Sequence, residues 1–226
     1  MKNREEIIGD CRLILGDCLE VLPTLLGYAA ILTDPPYGID YRSGHATDEL
    51  WSEDTIRNDE DTTTRDRALS LCDSSVPTLV FGSRKRPPPP GTKMVVVWDK
   101  GGALGMGDLS LPWKPSSEEI YVLGSGFAGK RDSSNVVYHP PVQSMAKNGR
   151  MHPNEKPVGL LAKLMRKLPE GCILDPFMGS ASCGEACMKV GRPFIGIEDD
   201  PTYFEIAVER LQKLARQGDL FAGAAA

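Results

Sequence analysis

The sequence predicts an α/β domain built on a mostly parallel sheet, and three observations carry that expectation. The chain has 226 residues, enough for one domain with a sizeable core. Short apolar runs at 29–33, 78–81, 94–98, 172–174 and 193–197 alternate with stretches whose leucines recur at helical spacing. Asp34, Asp175 and Glu198 each stand directly after one of those runs. Open parallel sheets bind ligands at the carboxyl ends of their strands, so acids placed there point to a site.

The elements follow in order. Residues 12–15 read as a strand, then Gly16 and Asp17 turn into a helix over 18–26 with Leu19, Leu22, Leu25 and Leu26 on one face. Residues 29–33 form the next strand. From 39 to 67 periodicity vanishes, and an unpatterned stretch of that length inside a domain is usually functional. It leaves directly from Asp34-Pro35-Pro36-Tyr37-Gly38 and is expected to be a mobile loop that orders over a substrate, with His45 and Trp51 either near a base or simply exposed.

A helix over 64–71 leads into the strand at 78–81. Arg84, Lys85 and Arg86 come next, followed by four consecutive prolines at 87–90 that favour an extended polyproline spacer. Residues 94–98 are a continuous apolar strand. The glycine-rich stretch 101–107 lacks the strand-turn-helix context of a dinucleotide fingerprint. Strands at 119–123 and 136–138 suit an antiparallel edge, with Lys130 and Arg131 between them.

Pro157 can open a helix because its missing N–H would be unpaired there anyway, and Leu160, Leu161, Leu164 and Leu168 form the stripe. The strand at 172–174 runs into Asp175, then Gly179, Ser180 and a helix to about 190. The strand at 193–197 ends at Glu198, and Asp200 caps a helix that starts at Pro201. One domain is expected over 1–215, with a disordered tail over 216–226.

Acidic residues outnumber basic ones, 31 to 26, for a net charge of -5. Bulk electrostatics therefore do not favour nucleic acid, and any affinity for it must come from local basic patches. The best such patch is Arg84, Lys85 and Arg86 at a strand end. The six cysteines show no C-x-x-C pair and no zinc spacing, so no metal site is expected. With no membrane-length apolar run, a soluble cytoplasmic protein with reduced thiols is the expectation.

The chemistry of the Asp34 stretch can be read from its parts. A residue before proline is held extended, so Asp34 sits at the strand end. Pro35 and Pro36 lack N–H groups but keep carbonyl acceptors. A base's exocyclic amine is a poor nucleophile, because its lone pair is delocalised into the ring. The Asp34 carboxylate and Pro35 carbonyl could accept its two N–H groups and favour a pyramidal nitrogen, while Tyr37 supplies the stacking face a flipped base needs. Taken alone, these residues also have a plainer reading, a tight turn after a strand with Tyr37 simply packed.

Three stretches together are more specific. Asp34-Pro35-Pro36-Tyr37, His152-Pro153-Asn154-Glu155-Lys156-Pro157 and Asp175-Pro176-Phe177-Met178-Gly179-Ser180 resemble, in that order, the motifs of the β class of S-adenosylmethionine-dependent DNA amino-methyltransferases. The resemblance runs from about residue 12 to 214. It implies a Rossmann-like methyltransferase fold with permuted motif order, S-adenosylmethionine as cofactor, and methylation of adenine N6 in double-stranded DNA, with cytosine N4 as the close alternative.

The resemblance also assigns roles. Asp34, Pro35, Pro36 and Tyr37 would be catalytic. Asp17, Lys156, Asp175, Phe177, Gly179, Ser180 and Glu198 would hold the cofactor, Asp17 through its adenine (or merely as a helix cap) and Glu198 through its ribose. Residues 125–151 would form a short target-recognition region, with Lys130 and Arg131 joining Arg84, Lys85 and Arg86 on DNA. So short a region would have to recognise bases with loops or a second subunit, and a homodimer is left open. Where the pattern prefers a second glycine this chain has Ala181, a mild departure unless that position needs positive φ. Rival readings are a nucleic-acid-binding module with a dead active site, whose mark would be loss of Asp34, Tyr37 or Asp175, and a zinc deaminase, whose signature is absent.

Overall fold

Apolar runs without alternation make strands that must be covered on both faces. The computed structural model, which describes residues 4–38, 61–102, 109–142 and 155–223, builds its sheet around such strands. In chain order the elements are β1 (Arg4–Ile8), β2 (Cys11–Leu15), α1 (Cys18–Val21), β3 (Ala30–Thr33), α2 (Thr63–Leu71), β4 (Thr78–Gly82), β5 (Met94–Asp99), β6 (Ser117–Leu123), β7 (Val136–Tyr138), α3 (Val158–Met165), β8 (Ile173–Asp175), α4 (Ser182–Val190), β9 (Phe194–Glu198) and α5 (Pro201–Gly223).

The strand order is β1-β2-β9-β8-β3-β4-β6-β5-β7. From β2 to β4 every pairing is parallel. β6 is antiparallel to both β4 and β5, β7 is parallel to β5, and β1 folds back on β2. Side chains alternate across the sheet. Leu13, Leu32 and Phe81 pack under Leu160, Leu164, Phe204 and Leu211 of the later helices. Ile14, Ile31 and Leu174 pack under Cys18, Val21 and Ala68 of α1 and α2.

This topology decides what can meet. β2, β3, β4, β5, β7, β8 and β9 all point one way, so their carboxyl ends share one edge, and antiparallel β6 begins there. The segment from 124 to 135, between the end of β6 and the start of β7, lies at the opposite edge. Ser125 N–H donates to the Ser75 carbonyl ahead of β4 (3.2 Å), and Ala128 N–H donates to the Lys167 carbonyl (2.9 Å).

Several expectations are corrected. The helix expected over 18–26 stops at Val21 and becomes a 3-10 turn at Leu22–Thr24, because Pro23 cannot donate the next helical bond. Leu26 is consequently 90% exposed instead of lying on an apolar face. Pro157 caps α3 from outside rather than opening it. The tail expected to be disordered from 216 continues α5 to Gly223, since nothing between Arg216 and Gly223 forbids helix. β1 was not anticipated. Its polar sequence carries Arg4–Glu6 and Glu5–Arg12 ion pairs, which suit an exposed edge strand. Most of the loop expected at 39–67, including His45 and Trp51, lies outside the described residues, and its far end enters α2 at Thr63.

Candidate active site

Asp34 follows β3 at the edge where the parallel strands end. Tyr37 folds back so that its hydroxyl donates to Asp34 Oδ1 (2.8 Å) or to Glu118 Oε1, one at a time. Gly38 completes the turn at φ 72°, and a Cβ there would come within 2.5 Å of the Asp61 backbone. The reversal after Tyr37 therefore requires glycine.

Lys156 Nζ lies 2.7 Å from Asp34 Oδ2 and 3.0 Å from Glu118 Oε1. Lys100 Nζ holds the other Glu118 oxygen at 2.7 Å. Lys156 also sits over the rings of Phe81 (5.1 Å) and Tyr37 (5.3 Å). Lys156 is only 6% exposed, so both carboxylates are needed to keep a buried ammonium charged. Burial alone would lower its pKa, but Asp34 and Glu118 outweigh burial and raise it.

The two carboxylates end up different. Burial pushes Glu118 up, yet Lys156 and Lys100 together hold it down at about 2. Asp34 has Lys156 alone, and burial, reinforced by Glu118, raises its proton affinity above that of an ordinary aspartate. Burial, Asp34 and Glu118 raise Tyr37 further still, so its hydroxyl stays protonated. The edge thus carries one permanently ionised acid and one acid with raised affinity for a proton.

The neighbouring strand ends hold the second part of the site. Asp175 ends β8, and Thr33 Oγ1 (2.7 Å) and Phe177 N–H (3.1 Å) both donate to its Oδ1. No hydrogen bond reaches its Oδ2 among the described residues. Glu198 ends β9 and accepts N–H bonds from Gly179 (2.9 Å) and Asp200 (3.0 Å). Burial pushes both Asp175 and Glu198 up to about 7. Gly179 has φ 51°, and a Cβ there would meet nothing within 4 Å. Two carboxylates with acceptor capacity to spare, an open glycine loop and the start of α4 fit a ligand with a ribose diol and a carboxylate, as S-adenosylmethionine has.

Ala181 resolves the departure noted in the sequence: φ 58°, ψ 39°, the one non-glycine residue with positive φ among those described. Alanine there carries strain of about 1 kcal/mol or more. Ala181→Gly is therefore expected to be nearly neutral in denaturant unfolding, the relieved strain offsetting the lost methyl. Ala207→Gly, equally buried but inside α5, should cost about 1–2 kcal/mol. Equal losses would mean that Ala181 is unstrained.

The other expected residues are placed as follows. Asp17 is exposed and caps α1 by accepting from Leu19 N–H (2.8 Å). Lys156, matched to a cofactor role, pairs with Asp34 and Glu118. The Phe177 ring packs with the α1 and α2 cluster. Ser180 is held by Arg210, whose guanidinium reaches Ser180 Oγ (3.2 Å), Ser182 Oγ (3.2 Å), Glu185 (2.6 Å) and Glu155. Arg84, Lys85 and Arg86 turn off the end of β4 on the Asp34 edge. Lys130 and Arg131 do not join them. They lie at the far edge, where Lys167 Nζ donates to the Lys130 carbonyl (2.6 Å).

Glu118, Lys100 and Arg210 were missed. The first two had a readable signal: an antiparallel β6 must begin, and β5 must end, at the Asp34 edge. Among the described residues no group of three His, Cys, Asp or Glu is arranged for a metal, and no helix is long and apolar enough to cross a membrane.

This fold, with one site at the carboxyl ends of β3, β8 and β9, defines the class, and comparison places the chain within it. Residues 80–209 match the DNA methylase family of N6 and N4 amino-methyltransferases, more than half of the sequence, and the chain belongs to that family. It is thus an S-adenosylmethionine-dependent DNA methyltransferase. YubD of Escherichia coli (strain K12), whose designation as a methylase is provisional, is 29% identical over 222 residues, 91% of this chain and 92% of its own. The cytosine-N4-specific PvuII DNA methyltransferase superposes with a TM-score of 0.64 at 15% identity, covering 93% of each chain. M1.HpyAVI, solved in complex with S-adenosylmethionine, gives 0.60 at 20% identity, covering 88% of this chain and 99% of the other.

Proposed function

We propose that this chain methylates the N6 amino group of adenine in double-stranded DNA, with Asp34 as acceptor of the amine's proton. The observation that carries the reading is the Asp34-Pro35-Pro36-Tyr37 ledge, where a carboxylate of raised proton affinity stands beside an aromatic face. S-adenosylmethionine, when bound, supplies a methyl on a positively charged sulfur that an amine lone pair can displace in line.

The chain's own groups do the positioning, which with charge placement is most of what such a displacement needs. Tyr37 gives the flipped base a stacking face. Asp34 Oδ1 and Oδ2 already accept from Tyr37 and Lys156, but a carboxylate has about four acceptor positions. The amine can therefore be held without expelling Lys156, while the Pro35 carbonyl takes its second N–H. After transfer the nitrogen carries one proton too many, and Asp34 is the nearby base that can take it. Asp175, Gly179 and Glu198 would hold the cofactor beside the ledge, Glu198 accepting from the ribose hydroxyls.

Cytosine N4 offers the same amine chemistry, and the superposition on PvuII DNA methyltransferase favours it as the second reading. Mass spectrometry of nucleosides from DNA treated with the protein and S-adenosylmethionine separates the two. N6-methyladenine is expected; N4-methylcytosine alone would replace this reading with the second, and neither product would overturn both.

DNA would lie along the Asp34 edge, held by Arg84, Lys85 and Arg86, with base recognition coming from residues after β7. Replacing these three by alanine should weaken binding to all sequences and flatten the salt dependence by about one unit per lost phosphate contact. Replacing Lys130 and Arg131 should leave the slope unchanged. Titrations at several salt concentrations check both, and an unchanged slope in the triple variant removes this patch from the track.

A further inference from the structure

We infer that Glu118 is a positioning residue for methyl transfer, anchoring Lys156 and Tyr37 so that the Asp34 carboxylate stays open to the amine. The inference rests on the reading that Asp34 accepts the amine.

Lys156 has three donors, and its described anionic partners are Asp34 and Glu118. With Glu118 neutral, Asp34 would be the one described anionic partner still charged, and the buried ammonium would close onto the oxygens the amine needs. The Tyr37 hydroxyl would lose its alternative acceptor and settle on Asp34 as well. Lys100 completes the device. By fixing the second Glu118 oxygen from the end of β5, it keeps this carboxylate ionised and aimed at Lys156.

Among the described residues, the charged and titratable groups facing Asp34 come from five elements: Tyr37 on its own ledge, Lys156 ahead of α3, Glu118 on β6 with Lys100 after β5 behind it, and Asp175 on β8. Two of them allow a test of opposite signs. Glu118→Gln removes a negative charge, so Asp34 should ionise at lower pH. Lys100→Met removes a positive charge, so Asp34 should ionise at higher pH.

The experiment is the pH profile of kcat/KM for DNA methylation, with kcat and the KM for S-adenosylmethionine at the plateau and a melting curve for each variant. Glu118→Gln should lower kcat by about 10- to 100-fold through misplaced groups, leave the cofactor KM within about twofold, and move the acidic limb down. Lys100→Met should move the limb up, and Glu118→Asp should recover part of the lost kcat. A merely structural Glu118 would lower the melting temperature without moving the limbs in opposite directions. A limb that stays put, or moves the same way in both variants, overturns the inference. Should Glu118→Gln fail to fold, the direction of the Lys100→Met shift alone decides it. If the wild type has no acidic limb, the reading of Asp34 as proton acceptor fails instead.

Discussion

Asp34→Ala is expected to lower methyl transfer by at least about 10³-fold while leaving S-adenosylmethionine affinity within about twofold of wild type. On the proposed reading the substitution removes the amine's principal acceptor and the carboxylate that would take the proton that must leave. It should be tolerated by the fold, because Lys156 keeps Glu118 at 3.0 Å as a counter-charge. Wild-type turnover should rise with pH through a limb above the ordinary aspartate range, since burial favours the protonated form and catalysis needs the ionised one. Single-turnover methylation and calorimetry read the two quantities, and near-normal turnover in the variant would remove Asp34 from the mechanism.

Glu198→Ala should weaken S-adenosylmethionine binding by about 10- to 100-fold, the worth of hydrogen bonds from two ribose hydroxyls to a partly buried carboxylate. The pH dependence follows from its pKa of about 7. Binding the hydroxyls favours the ionised form, so affinity should fall as pH drops through 7, and that part of the dependence should vanish in the variant. Folding responds the other way. With Glu198 and Asp175 both raised from their ordinary values to about 7, the folded chain binds their protons more tightly than the unfolded one. Their contribution to stability is fully present below the unfolded pKa values and is lost as pH rises through about 7. Calorimetry across pH checks the cofactor side, and unchanged affinity in the variant would place the pocket elsewhere.

The strands were legible in the sequence because a strand buried on both faces must be continuously apolar, whatever lies around it. β3, β4, β8 and β9 were all expected to within a residue or so at each end. The acids at their ends were legible for the same reason: Asp34, Asp175 and Glu198 each interrupt an apolar run abruptly. What failed was local competition. Pro23 shortened α1, a polar edge strand gave no apolar signal, and α5 continued past the point where polarity suggested a frayed tail.

Charge pairing depended on more than local sequence. Lys156 was assigned to the cofactor by its motif, yet it is Asp34 and Glu118 that compensate its buried charge, 122 and 38 positions away. Lys130 and Arg131 looked like partners of Arg84 until the antiparallel direction of β6 sent them to the other end of the sheet. Composition and spacing determined which buried strands exist, which of them carry an acid, and which family they resemble. Only the tertiary structure decided which acid is held ionised and which has the raised proton affinity. That difference comes from how many ammonium groups the sheet order brings to each carboxylate: two for Glu118 and one for Asp34.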